Sequence, residues 1–479
     1  MNNAKYNVVV IGAGTAGLVT AAGTAGLGGR VALIERARMG GDCLNTGCVP
    51  SKALISSARL IEQIRHAEDW GLQPQKPAFE LDAIFRRMRA RRDKLAVNDS
   101  QERFEGLGVD VFRGDASFVS SREVRVGGTS LHATNFVIAT GSRAALPPVE
   151  GLKEIRPYTN ETIFDELAGK PERLAILGGG PIGCELGQAF ARFGVAVTIL
   201  QRPPQLLPKE DADAAGLLRR RLEAEGVTVL TGADVRRAHR DGQTIRLALG
   251  QEGVSDRSIA CDAVLVAAGR VPNVEGLNLE AAGVAYTERG VTTNAHLQTS
   301  QPHIYAAGDI VGSYKFTHLA DHHARTVVRN ILFPWLKASV ETEVIPWCTY
   351  TSPEVARVGL NEDQARRKGI AYDLFTQPLE EVDRAVLESE ETGFAKVLTA
   401  RGKDRILGVT LVSERAGDLL VEFAAAMKNG IGLSGISKVI HPYPTFAEIA
   451  RKVADQQQRK RLTPFAKRAL TRLYRWRRR

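Results

Sequence analysis

At 479 residues the chain is too long for one ordinary hydrophobic core, so two to four domains are expected. Its composition, 44% apolar and 25% charged, is that of a globular protein, and no apolar run approaches the ~20 residues needed to span a bilayer. The formal charge of +10 is localised: residues 451–479 carry twelve Lys or Arg against one Asp, which leaves 1–450 near −1, so no strong electrostatic argument for nucleic acid attaches to the body.

The first readable unit is "YNVVVIGAGTAGLVTAAGTAGLGGRVALIER", a strand, a glycine turn, a small-residue helix and a second strand. No basic segment leading into an apolar stretch and a cleavage site precedes it, so a cytoplasmic protein is expected, in which a persistent structural disulfide would be unusual. Gly12, Gly14 and Gly17 fit G-x-G-x-x-G. The first allows the turn, the second lets backbone approach a pyrophosphate, and the third packs helix on strand. Glu35 ends the second strand, where a carboxylate can accept from ribose hydroxyls.

Next comes "GGDCLNTGCVPSK", with Cys43 and Cys48 five positions apart. On a regular helix that spacing is roughly 7.5 Å along the axis, beyond the ~7 Å reach of a disulfide. A bond therefore needs a break in the helix, which Asn45 and Gly47 permit. A zinc site lacks a second ligand pair, because Cys184, Cys261 and Cys348 stand alone and "DHHAR" is the one histidine cluster. A structural crosslink and two unbonded thiols stay open beside the favoured reading, a dithiol that opens and closes. Lys52 follows Cys48 by one turn and would favour a thiolate there.

The glycine pattern recurs in "RLAILGGGPIGCELGQAFARFGVAVTILQR", where Gly178, Gly180 and Gly183 occupy the same frame. Gly12 to Glu35 and Gly178 to Gln201 are both 23 positions. The second copy has Gln201 in place of the acid, followed by Arg202. Loss of the carboxylate and gain of a guanidinium favour NADPH over NADH, unless Arg202 is only an exposed loop residue.

"GGDCLNTGCVPSK" resembles the redox-active segment of the flavoprotein disulfide reductases, the class I pyridine nucleotide-disulfide oxidoreductases, and the resemblance runs from about Tyr6 to Ala450. It implies an α/β fold of two Rossmann-like dinucleotide-binding domains plus a C-terminal α+β dimerisation domain. The expected segments are FAD-binding 1–148, NAD(P)H-binding 149–276, a return to the FAD domain at 277–344, an interface domain at 345–450 and a basic tail at 451–479. The resemblance further implies FAD on the first unit, NADPH or NADH on the second, and a homodimer that shares its active sites. Cys48 would contact the flavin and Cys43 would exchange with substrate, with Lys52 paired to Glu185. Gly41, Thr140, Gly141 and Gly269 would line the cofactors. Asp309 in "IYAAGDI" would hold the ribitol, and "SYKFTHLADHHARTVVRNILF" would start a helix with its positive end at the flavin.

The sequence departs from its relatives at "HPYPTFAEIA". Dithiol-specific members carry a proton-shuttling histidine where Tyr443 stands, five residues before Glu448, and a phenol is a poor shuttle at neutral pH. His441 lies two residues upstream. A tyrosine here resembles the mercuric reductase branch, yet no cysteine follows Cys348, and a second tyrosine of that branch falls at Phe104. The frame is mercuric-reductase-like without the metal-delivery parts, and Cys348 is expected to be a buried strand cysteine. The expected acceptor is a small disulfide, a thiophilic metal ion or a quinone. The rivals are a dihydrolipoamide dehydrogenase using His441 and a redox-switch or membrane-docked sensor protein.

In the tail, Pro464 starts a helical pattern with Phe465, Ala469, Leu473 and Trp476 at spacings of four and three, and arginines between them. Such a helix suits an anionic membrane surface, here the inner face of the membrane. A solvated tail is the plainer expectation.

Overall fold

The computed structural model describes residues 5–251, 254–312 and 314–478. The opening of the expected first domain (1–4), residues 252–253 of the expected NAD(P)H segment, Ser313 before the helix expected to face the flavin and Arg479 of the tail lie outside those residues. The chain divides into two compact units: one runs to Ala67 and adds Gln73–Arg202 and Gly226–Glu341, the other holds Glu68–Leu72, Pro203–Glu225 and everything from Thr342. Pro203–Glu225 therefore groups apart from the rest of the 149–276 stretch.

In the first unit, β1 (Tyr6–Ile11) carries three consecutive valines that are all fully buried, as expected of a parallel strand covered on both faces. Helix α1 (Thr15–Gly26), β2 (Val31–Glu35), α2 (Gly41–Asn45) and α3 (Cys48–Arg65) follow. With β3 (Val109–Arg113) and β4 (Thr129–Ile138) the strands form a parallel order β3-β2-β1-β4, Val8 lying opposite Val31 and Asn135.

The second copy is β5 (Arg173–Leu177), α4 (Pro181–Arg192), β6 (Ala196–Gln201), β7 (Thr228–Thr231) and β8 (Ala263–Val266). Its order β7-β6-β5-β8 repeats the first sheet. The chain then returns: β9 (Ile304–Ala306) pairs with β4, Ile304 opposite Phe136, and α5 (Thr317–Leu332) packs on α1. The two glycine turns match closely. Gly12 and Gly178 have φ of +102° and +114°, open to glycine and costly for other residues. A Cβ on Gly17 would meet Gly12 O at 1.8 Å, and one on Gly183 would meet Gly178 O at 1.9 Å.

The second unit holds an antiparallel sheet of β10 (Pro346–Thr349), β11 (Glu354–Gly359), β12 (Tyr372–Pro378), β13 (Phe394–Ala400) and β14 (Ile406–Ser413), ordered β10-β11-β14-β13-β12. Helices α6 (Ala416–Lys428) and α7 (Glu448–Arg461) close its core, where Val397, Val409, Phe423, Ile449 and Val453 are fully buried. Pro203–Glu225 is tied to this sheet by charge: Glu210 meets Arg357 at 2.8 Å and Asp211 meets Lys396 at 3.2 Å. Cys348 does stand on a strand, but β10 is an edge strand, so the thiol is half-buried rather than buried. Phe104 is buried in the core of the first sheet. The α8 helix (Pro464–Arg477) has no buried residue. No helix among the described residues is long and apolar enough to cross a membrane.

Candidate active site

The cysteine segment breaks where Asn45 and Gly47 permit. Helix α2 ends at Asn45, Gly47 takes a non-helical conformation, and Cys48 opens α3. Cys43 is half-buried and Cys48 exposed; the two thiols are unbonded and share a hydrogen bond. The interaction is asymmetric. The bond from Cys43, helped by Thr317 and the Lys52 ammonium, pulls Cys48 down to about 6 against the desolvation that opposes it. The same bond, with burial, pushes Cys43 up. Of the two sulfurs, Cys48 is the one that ionises first.

Helix geometry accounts for this. Cys48 is the first residue of α3, and its Sγ lies 3.4 Å from Oγ1 of Thr317, the first residue of α5. Two helix N-termini thus meet at one sulfur, each presenting the positive end of its dipole. Lys52, one turn on, donates from Nζ to Glu185 Oε2 at 2.8 Å. Glu185 comes from α4 of the second dinucleotide unit and is 5% exposed, so this ion pair ties the cysteine helix to that unit.

The residues expected at the cofactors form two matching cradles. Neither α1, begun at Gly14, nor α4, begun at Gly180, has a side-chain cap, which leaves first-turn amides for a pyrophosphate. Glu35 Oε2 accepts from Ala13 N–H at 2.7 Å, and Gln201 Oε1 accepts from Gly179 N–H at 2.7 Å, the same bond in both copies. Gly41 crosses Gly14 so closely that a Cβ on it would stand 2.6 Å from Gly14 Cα. Thr140 donates to Asn273 O at 2.8 Å, and Asn273 N–H returns to Gly141 O at 3.0 Å, pinning the crossover turn. Gly269, at φ +135°, accepts from Ala145 N–H. Asp309 accepts from Ser142 Oγ at 2.7 Å and is pushed up by burial. Arg270 stands between Asp309 at 3.8 Å and Asp42 at 3.1 Å. Arg202 is 83% exposed on its side chain and 3.7 Å from Asp234. Uncapped amides, close glycine crossings and a half-buried carboxylate, Asp309, fit FAD on the first cradle and a nicotinamide nucleotide on the second.

The remaining candidates lie in the second unit, where Lys452 links Glu448, at 4.0 Å, to Asp383, the partner of Tyr443, at 3.4 Å, while His441 has partners of its own. Tyr443 donates to Asp383 at 2.8 Å, which pushes its phenol up. His441 has Nδ1 against Val439 O and Nε2 against Glu422, both at 3.0 Å. Glu448 opens α7 and accepts from Arg451 at 2.6 Å. Sequence reasoning missed Thr317, Asn273, Ser142 and Arg270. Thr317 alone had a local signal, as the residue at which the expected flavin-facing helix begins.

The family described as pyridine nucleotide-disulphide oxidoreductase matches residues 6–324, and its dimerisation domain matches 345–454. A mercuric reductase of Staphylococcus aureus is 34% identical over 450 residues, covering 92% of this chain and 81% of its own. A dihydrolipoyl dehydrogenase of Thermus scotoductus is 36% identical over 459 residues, covering 94% and 97%. Among solved structures, the Cu(II) complex of the HOCl-induced flavoprotein disulfide reductase RclA from Escherichia coli superimposes with a TM-score of 0.84 at 28% identity, covering 95% of this chain and 100% of that one.

Proposed function

Because the chain belongs to the pyridine nucleotide-disulphide oxidoreductase family, whose members are FAD-dependent and use NAD(P)H, we propose that it passes electrons from NAD(P)H through Cys43 and Cys48 to a thiophilic acceptor, in the manner of a mercuric reductase. The observation that carries this is the placement of the cysteine pair: Cys43 lies on α2, and Cys48 opens α3 with its Sγ 3.4 Å from Thr317 Oγ1 at the start of α5, an arrangement that favours a thiolate at Cys48. FAD would be held by Gly12, Gly14, Gly17, Glu35, Gly41, Thr140, Gly141 and Asp309. NADPH would be held by Gly178, Gly180, Gly183, Gln201, Arg202 and Gly269. Bound flavin supplies the hydride-accepting, two-electron-donating chemistry.

The chain's own groups divide the remaining work. Cys48 carries the thiolate, Thr317 and the two helix N-termini hold it, and Glu185 positions Lys52 one turn away. Cys43 meets the acceptor. Oxidation of the thiolate–thiol pair to the disulfide releases two electrons and the single proton of Cys43. A divalent soft metal ion takes the electrons alone, whereas a disulfide substrate takes the electrons, that proton and a second one from solvent, and leaves as two thiols.

That difference favours the metal ion. A disulfide or dihydrolipoamide reaction needs a proton shuttle, yet the phenol of Tyr443 is bound to Asp383 and both ring nitrogens of His441 already face oxygen acceptors. Two copies would associate through 345–454 as a homodimer.

The test is an anaerobic NADPH titration followed by re-oxidation with a panel of acceptors. A soft divalent ion should re-oxidise the reduced enzyme faster than lipoamide or glutathione disulfide does. Rapid turnover of dihydrolipoamide with NAD⁺, lost in His441→Ala, would replace this reading with the dehydrogenase.

A further inference from the structure

We infer that the helix Pro464–Arg477 is a docking element for an anionic lipid surface, a property independent of the redox reading above. The helix is built deliberately: Thr463 Oγ1 accepts from Ala466 N–H at 3.2 Å, and Pro464 occupies the first turn. At 3.6 residues per turn, Phe465, Ala469, Leu473 and Trp476 share one face, which Leu470 and Tyr474 broaden. Lys467, Arg468, Arg472 and Arg475 fill the other half of the helix circumference, Arg477 alone of the helix's cations falls among the apolar positions, and no Asp or Glu occurs from Gln456 to Arg479.

An amphipathic helix ordinarily buries its apolar face against the core. This one buries nothing: Phe465 is 75%, Tyr474 67% and Trp476 72% exposed. The charges change partner at the same point. In α7, Arg451 pairs with Glu448 at 2.6 Å, Lys460 with Asp373 at 2.7 Å and Arg461 with Asp404 at 3.8 Å. Among the described residues, Lys467, Arg468, Arg472 and Arg475 form no ion pair. The segment thus loses its apolar cover and its counter-charges together, just after Arg461.

One occupant satisfies both faces. A nucleic acid would take the cations and leave the apolar face in water. A second copy of the helix would cover the apolar face and bring two like-charged strips close together. A bilayer with anionic headgroups accepts the aromatic and leucine side chains at its interface and the cations at its surface.

The test uses the full-length flavoprotein in co-sedimentation with vesicles of phosphatidylglycerol and phosphatidylcholine, or of phosphatidylcholine alone. Binding to the anionic vesicles should be at least about tenfold tighter and should weaken as salt is raised. The double variant Leu473→Glu, Trp476→Glu should lose it, and so should Arg468→Glu, Arg472→Glu, with NADPH oxidation unchanged in both. Equal binding to the two vesicle types, or binding to neither, overturns the proposal. So does tighter binding to duplex RNA than to vesicles, or a drop in oligomeric mass in the Leu473/Trp476 variant, which would make the face a contact between copies.

Discussion

Thr317 Oγ1 lies 3.4 Å from Cys48 Sγ, across 269 residues of sequence. When Cys48 is ionised the hydroxyl can only donate to it, from the first residue of α5. In Thr317→Val the titration of Cys48 should move up from about 6 by roughly one pH unit, read from the pH dependence of alkylation in the reduced protein. An unchanged profile would mean that the hydroxyl does not hold the sulfur. The sign for stability follows from the lowered value. The thiolate's contribution is fully present above the ordinary thiol range and is lost as pH falls through about 6. The stability gap between wild type and Cys48→Ser should therefore widen from pH 6 upward.

Gly183 separates the two nucleotide sites. A Cβ there would stand 1.9 Å from the carbonyl oxygen of Gly178, a backbone atom that cannot swing away. Overpacking of about 1–3 kcal/mol should open the turn in Gly183→Ala. Because Gly12, Gly14 and Gly17 belong to the other copy, the purified variant should keep its flavin while its KM for NADPH rises about tenfold. A normal KM would show that the second turn does not hold the nucleotide.

Much of this was legible in the sequence, for physical reasons. The two α/β units could be read because their glycines answer strict local demands: positive φ at Gly12 and Gly178, and no room for a Cβ at Gly17 and Gly183. The break between Cys43 and Cys48 followed from helix rise and from Gly47. What could not be read depends on chain reversals. Asn273 reaches Thr140 across 133 residues, and no period or spacing announces it. The exposure of Cys348 was missed because a strand's position at a sheet edge is set by its neighbours rather than by its own residues.

Glu210 and Arg357, at 7% and 1% exposure, form one of the two buried ion pairs described between Pro203–Glu225 and the second unit's sheet, at 2.8 Å. Glu210→Gln leaves a guanidinium buried without its counter-charge and should cost about 3 kcal/mol in urea unfolding. Replacing both residues by leucine should cost less than that single change. A double variant less stable than Glu210→Gln would mean that the pair contributes more than its burial penalty.

The most direct measurement is the long-wavelength absorbance of the NADPH-reduced flavoprotein in Cys48→Ser and Cys43→Ser, the thiolate-to-flavin band being its readout. Cys43→Ser should keep the band and fail to turn over any acceptor, while Cys48→Ser should lack the band. A band that survives in Cys48→Ser and vanishes in Cys43→Ser would contradict the division of labour between the two sulfurs.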